Sequence, residues 1–228
     1  MDTSLSVERS RLQTQSPQAV PTWGLVTALI LLELVIAWST AQIALTPEVM
    51  QAAAGGPVDP LQVERMLHTA ERFQWVGYVF VVPSVLVRLS LVALVLQLTV
   101  LLLDGIPVPF GTVMRAGALG HFAAVVQNFL GVVWLSRLDG PEQATMFLKG
   151  SAFSLGMLVD RDGSPGVISA LAPYVSIADV AWILLVAWAI ASALSKPRWS
   201  MVGTCAFAWC AITVLRFALV ETLRTLRS

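Results

Sequence analysis

The sequence predicts an all-α protein: a polytopic membrane helix bundle of five transmembrane helices with amphipathic segments at the membrane interface. Of the 228 residues, 57% are hydrophobic and 12% are charged, and the mean hydropathy is +0.77. Soluble domains contain about 25% charged residues, and a soluble chain of this length leaves roughly a third of its surface in water. Lipid must therefore solvate much of this chain, whose apolar residues gather in five long runs.

The charge balance and the cysteines narrow the class of protein further. Fourteen Lys and Arg residues balance fourteen Asp and Glu residues, so no basic stripe is available to follow a nucleic-acid backbone. Cys205 and Cys210 lie five residues apart in an apolar run, without a CxxC or other metal-ligand spacing. The composition thus excludes a soluble enzyme, a disordered regulator and a DNA-binding factor, and it predicts no nucleic-acid partner, cofactor or metal.

The first elements are a tail and a span. Residues 1–22 are polar and rich in Ser, Gln and Pro, which predicts a disordered tail. Residues 23–45 form an apolar run, and about 20 apolar residues are enough to cross about 30 Å of hydrocarbon. This run is too long for a signal-peptide core and contains Glu33. We interpret it as a retained first span rather than a cleaved leader.

A polar segment separates the first two spans. Thr46-Pro47-Glu48 is typical of a helix start, with an N-cap, a proline at the first position and an acid in the first turn. Residues 59–62 repeat this signal, with a Gln at the capping-box position. Beyond them, apolar and charged residues alternate up to residue 72. This pattern predicts an amphipathic helix at the interface.

The second and third spans are joined by a tight turn. The second, residues 73–103, is longer than one crossing needs and contains Pro83, so we expect tilt, a kink or protrusion from the bilayer. Residues 104–109 break the run with one Gly and two Pro. The third span covers residues 113–135.

A loop of about thirty residues precedes the last two spans. Its half-apolar stretch, residues 144–159, is short and contains the charged Lys149, so it does not predict a crossing. Residues 160–164 resemble the start of a calcium loop, but a leucine stands where that loop needs its bidentate Glu. The fourth span covers residues 176–194, and a tight turn leads into the fifth. The fifth span covers residues 199–220, and residues 223–228 form a short tail.

Charge does not decide the orientation. With the N-terminus inside, the inner segments carry five Lys and Arg residues and the outer segments carry seven, which does not support the positive-inside rule. Tryptophans mark the predicted span ends, where indole rings prefer to lie; these are Trp23, Trp75, Trp134 and Trp199.

Two charged residues lie near the middle of predicted spans. A charge at a helix centre costs about 2.5–3.5 kcal/mol on insertion scales, so each needs a partner or a purpose. Consecutive spans are antiparallel neighbours, and Glu33 in span one and Arg88 in span two fall at similar depth. We therefore predict a Glu33–Arg88 ion pair. It serves either as packing glue that fixes helix register or as part of a proton- or ion-coupled site.

The third span is the most polar. Gly117, His121 and Asn128 share one helical face, with Gln127 beside them. His121 is interpreted as a hydrogen-bonded packing residue, because no second ligand stands at metal-binding spacing. An adjoining stripe of small residues lets another helix approach closely; together with Gly117, the packing residues are Ala116, Gly120, Ala124 and Gly131.

Near the end of the chain, Asp179 opens span four and Arg216 lies late in span five. They either meet at one membrane face or reach the interface separately. No GxSxG, HExxH, Walker A or Rossmann glycine motif is present. The chain is therefore predicted not to be an enzyme.

Three stretches resemble the Yip1-domain superfamily of small five-span membrane proteins. A long second span ends in a Gly-containing turn and a Phe, residues 102–111, and runs into the small-residue helix at 116–121. Residues 175–186 resemble the family's Leu-Asp-x-Phe-x-x-Trp opening of span four, although Asp179 stands at the Phe position. Ser195-Lys196 matches the family's Ser-Lys turn into span five.

The resemblance covers about residues 70–220 and implies five helices, a cytoplasmic N-terminus, an external C-terminus and no known catalytic residues. Eukaryotic relatives are linked to vesicle trafficking and Rab GTPases, whereas many bacterial members have no assigned activity. The resemblance implies a multi-pass protein of a bacterial inner membrane. Its partners would be the lipid bilayer and either other membrane proteins or its own copies, met through the small-residue face of span three.

Two functions are compatible with these residues. The leading hypothesis is a non-enzymatic scaffold that organises the membrane or binds partners. The rival is a small solute or ion permease in which Glu33, Arg88, His121 and Asn128 line a path. A convergence of these four side chains on one cavity favours transport, whereas a dry pair with isolated hydrogen bonds favours a scaffold.

Overall fold

The computed structural model describes residues 21–54, 59–149, 153–154 and 175–225. Within these ranges the chain is helical, which confirms the all-α part of the predicted fold class. Residues 1–20 of the tail predicted at 1–22 and the turn predicted at 160–164 lie outside the described residues. The helices are α1 (Thr22–Ala44), α2 (Pro47–Ala53), α3 (Pro60–Asp104), α4 (Phe110–Leu135), α5 (Gly140–Lys149), α6 (Ile177–Ala193) and α7 (Arg198–Thr225).

Four of the described helices are long and apolar enough to cross a membrane: α1, α3, α4 and the Arg198–Ala218 part of α7. Their outer surfaces carry many exposed large apolar side chains, including Leu31, Val79 and Leu98, which water would not tolerate in such number. The chain is therefore a membrane-embedded, multi-pass protein. Helix α6 is also apolar but has 17 residues.

Helix α3 differs from the prediction, because the interfacial helix and the second span form one continuous helix of 45 residues. At 1.5 Å per residue it is about 67 Å long, more than twice the hydrocarbon thickness. The Asp59 carboxylate caps its start by accepting the Leu61 N–H at 3.0 Å, and Gly105 ends it with φ 67°. No Gly or Pro interrupts residues 61–76, so nothing in the sequence turns the helix before it enters the membrane.

Five helices close into a ring in the order α1, α4, α6, α7, α3, with each in contact with the next and α3 in contact with α1. Helices α3 and α4 also touch each other across the ring. The turns at 105–109 and 194–197 lie at the end where α1 begins, here called the short-turn end. Helices α2 and α5 cover the other end, where they pack on each other through Val49 and Ala144.

Helix α4 packs closely on its neighbours because it carries small residues. A Cβ on Gly120 would lie 2.6 Å from Val186 Cγ2 and 2.7 Å from Trp182 Cδ1, and one on Gly117 would lie 3.2 Å from Val92 Cγ1. The predicted close helix approach is therefore present. It takes place inside the chain, against α6 and α3, so the prediction that this face meets partners is wrong. The other members of the stripe, Ala116 and Gly131, are buried and Ala124 is half-buried.

Candidate functional site

Three polar side chains from three helices meet near the middle of the bundle. One oxygen of the Glu33 carboxylate, Oε1, lies 2.9 Å from Nε2 of His121 and 3.3 Å from Nη1 of Arg88. The same Nη1 and Nε2 are 3.3 Å apart. The Glu33–Arg88 ion pair predicted from the sequence is present. His121 joins it as a third member, so the cluster fastens α4 to both α1 and α3.

Hydrogen-bond chemistry assigns the protons in this cluster. Arg88 can only donate, and the Glu33 carboxylate accepts when it is ionised. Nε2 of His121 donates to Glu33 only when it carries a proton, and it could accept from Arg88 only when it carries none. The arrangement that satisfies both short contacts of Glu33 therefore has Nε2–H and Nη1–H donating to the same oxygen.

The cluster lies at mid-depth. Glu33 and His121 each stand eleven residues after the start of their helix, at Thr22 and Phe110. Both helices start at the short-turn end, so the two residues lie about 16 Å from it. That distance is close to half of the roughly 30 Å hydrocarbon thickness. A lone charge at this depth costs about 2.5–3.5 kcal/mol, which explains why Glu33 and Arg88 are held together.

Exposure within the cluster is uneven. The side chains of Glu33 and His121 are 14% and 10% exposed, whereas that of Arg88 is 49% exposed. In the part of the chain that the structure describes, the contacts of Arg88 run through Nη1. Guanidinium carries five N–H donors, and half of the Arg88 side chain is exposed at mid-depth.

Two further predicted residues join helices elsewhere in the ring. Oε1 of Gln127 on α4 accepts the backbone N–H of Ala178, in the first turn of α6, at 3.0 Å. The Asp179 carboxylate accepts Trp209 Nε1–H from α7 at 3.0 Å. Its other oxygen accepts both the N–H and the hydroxyl of Ser176, at 2.6 and 2.7 Å, closing the start of α6.

The remaining two predicted residues lie apart from the cluster. Asn128 is exposed on α4, seven residues beyond His121 and thus about 10 Å further along the helix. Arg216 is exposed on α7, seven residues beyond Trp209. The structure thus brings together three of the four residues of the permease hypothesis.

One contact between helices is not predicted by the sequence. Asp104 at the end of α3 accepts the hydroxyl of Thr204 on α7 at 3.0 Å, and Lys196 Nζ lies 3.8 Å from its other oxygen. The sequence placed Asp104 in a turn without a partner. The sequence does show Asp104 at one tight turn and Lys196 at the other. Predicting that they lie close together requires the order of the helices around the ring.

These bonds form a pattern: each pair of neighbouring helices in the ring is joined by at least one polar side-chain contact. Glu33 holds α1 to α3 and α4, Gln127 holds α4 to α6, Asp179 holds α6 to α7, and Asp104 holds α3 to α7. In hydrocarbon the hydrophobic effect does not drive helices together, so polar bonds and close packing must do so.

The described residues do not meet the requirements of a metal site or of a disulfide. They contain no group of three or more His, Cys, Asp and Glu placed to hold a metal ion. Cys205 is buried and Cys210 is exposed on α7, and both are free thiols.

The fold and the site together define a multi-pass helical membrane protein whose intramembrane polar side chains fasten its helices. No protein-family model, no curated protein and no solved structure matches this chain.

Proposed function

We propose that the chain is a non-enzymatic, five-span integral membrane protein that organises the membrane or binds partner membrane proteins, as its Yip1-like sequence features imply. The observation that supports a scaffold best is the use of the polar residues. Glu33, Gln127, Asp179 and Asp104 each bond a neighbouring helix. These hydrogen bonds hold the helices in one arrangement. A fixed arrangement of helices presents a constant surface to partner proteins, as a scaffold requires.

The fifth span of this proposal is α6. Its 17 residues fall at the short end of the range of about 17–25 residues that cross a bilayer. It packs between α4 and α7, and its buried face includes Trp182 and Val186. With five crossings the two ends of the chain lie on opposite sides of the membrane.

The N-terminal side is proposed to be cytoplasmic and the host membrane a bacterial inner membrane. The Yip1-like features support this orientation, because charge does not decide it. Arg115, Lys196 and Arg198 lie near the span ends at the short-turn end, and Arg72 and Arg137 lie near the span ends on the opposite side.

Proximity labelling tests the scaffold function in the native membrane. A labelling enzyme fused to the N-terminus should mark a reproducible set of membrane proteins that a fusion to an unrelated five-span protein does not mark. Glu33→Ala should change that set, because it loosens α1 against α3 and α4. Identical labelling by the two fusions would contradict the proposal.

One observation favours a second candidate, a small solute or ion permease: Glu33, Arg88 and His121 do converge at mid-depth. A carboxylate and an imidazole in contact are the groups that relay protons in membrane proteins. Purified protein in vesicles loaded with a pH-sensitive dye tests it. A proton flux lost in Glu33→Gln would favour the permease over the scaffold.

A further inference from the structure

Arg88 projects half of its side chain out of the bundle at a depth where lipid tails should lie. Its inner side is held by Glu33 through Nη1, and 49% of the side chain remains exposed. An exposed charge at mid-depth is costly and is normally paired or placed in water. The outer donors of the guanidinium therefore have room for an acceptor that arrives from outside the described chain.

The surface around Arg88 allows another helix to come close. Gly77, Ser84, Arg88 and Leu91 follow each other at spacings of seven, four and three residues, which places them on one face of α3. All four are exposed, a Cβ on Gly77 would meet open space, and the Ser84 hydroxyl is turned back onto the Val81 carbonyl at 2.9 Å. We call these four residues the Arg88 face.

Resting on the proposed scaffold function, we propose that the Arg88 face binds a transmembrane helix of another protein that carries a carboxylate at mid-depth. Charge complementarity selects the carboxylate: guanidinium binds it through paired N–H donors. Ser84, a small residue one turn away from Arg88, permits the close backbone approach that membrane helices use.

Depth argues against a lipid phosphate as the occupant. Arg88 stands sixteen residues before the end of α3, about 24 Å along the helix, while its guanidinium meets Glu33 about 16 Å from the short-turn end. Phosphates lie outside the roughly 30 Å of hydrocarbon. The contact with Glu33 holds the guanidinium inward, so snorkelling to a headgroup would break it.

A second copy of the chain does not supply the acid either. Among the described span residues, Glu33 is the carboxylate at mid-depth, and it is 14% exposed and already accepts two donors. Asp104 and Asp179 lie at helix ends and are bound to Thr204 and Trp209.

The test uses the full chain in phosphatidylcholine nanodiscs and a dye-labelled 23-residue Leu/Ala transmembrane peptide with one central Asp. Matched peptides carry Leu or Asn there. The Asp peptide should bind about ten-fold more tightly than the Leu peptide, and Arg88→Gln should abolish that preference. Arg198→Gln, at an exposed arginine of the short-turn end, is the matched control and should leave it unchanged.

A second variant keeps the result interpretable if Arg88→Gln disturbs folding. Ser84→Trp leaves the three-residue cluster intact but fills the Arg88 face, and it should also weaken binding of the Asp peptide. Equal affinity of wild type for the three peptides would overturn the proposal. So would Arg88-dependent binding of phosphatidylglycerol that displaces the peptide, or Arg88-dependent self-association that excludes it. A labelling set that is specific yet unchanged by Ser84→Trp would leave the scaffold standing and refute this docking face.

Discussion

Gln127 of α4 caps α6, because its side-chain oxygen accepts the backbone N–H of Ala178 at 3.0 Å. This bond ties a side chain in the last third of α4 to the free N–H groups that every helix leaves at its start. Removing the acceptor in Gln127→Ala should destabilise the protein by about 1 kcal/mol, the usual worth of a helix cap. Unfolding in mixed micelles measures it. Asn128→Ala, at the exposed neighbouring position, should change the stability by less than half as much; an equal loss in both variants would contradict the capping role.

Gly120 controls how closely α4 and α6 approach. Because a Cβ there would stand 2.6 Å from Val186 and 2.7 Å from Trp182, Gly120→Ala should destabilise the fold by about 1–3 kcal/mol. Gly203→Ala is the matched control, since a Cβ at that exposed helical position meets nothing within 4 Å. There the higher helix propensity of alanine should leave stability unchanged or raised by up to about 1 kcal/mol. A thermal melt that ranks the two variants the other way round would refute the close approach.

Asp104 fastens the two tight turns at the short-turn end. Thr204→Val removes the hydroxyl that Asp104 accepts but keeps the side-chain volume, so it should cost about 0.5–1.5 kcal/mol, the net worth of one hydrogen bond. The same change should cost much less in an Asp104→Asn background than in the wild type if the two residues act together. Equal losses in both backgrounds, measured by denaturant unfolding, would show that the contact contributes nothing.

The proposed crossing by α6 sets the topology of the chain. Reporter fusions at the N-terminus and after Thr225 should report opposite sides of the membrane, because five crossings separate the two ends. A fusion in the 194–197 turn should report the same side as the N-terminus. If the N-terminal and C-terminal reporters agreed, α6 would not cross and the number of spans would be four.

Much of the fold follows from the sequence because long apolar runs have few structural solutions in lipid. The spans at 23–45 and 113–135 lie close to α1 and α4, and the Glu33–Arg88 pair follows from the depth of two charges in antiparallel neighbours. The length of α3 does not follow, because residues 61–72 are equally compatible with a helix lying on the membrane and one leaving it.

The sequence also does not predict the bonding partners of His121, Gln127 and Asp179, although it marks each residue as a polar candidate within a span. Their bonds depend on which helices are neighbours around the ring. Hydrophobic periodicity gives the buried side of a helix but not the identity of the helix that covers it.

The mid-depth cluster of Glu33, Arg88 and His121 holds α1, α3 and α4 together. A double-mutant cycle on Glu33→Gln and His121→Ala, followed by unfolding in bilayer-like micelles, measures the strength of this contact. We expect a favourable coupling of about 0.5–3 kcal/mol between the two residues, with no proton flux through wild-type protein in vesicles. A coupling of zero, or a flux that Glu33→Gln abolishes, would contradict it.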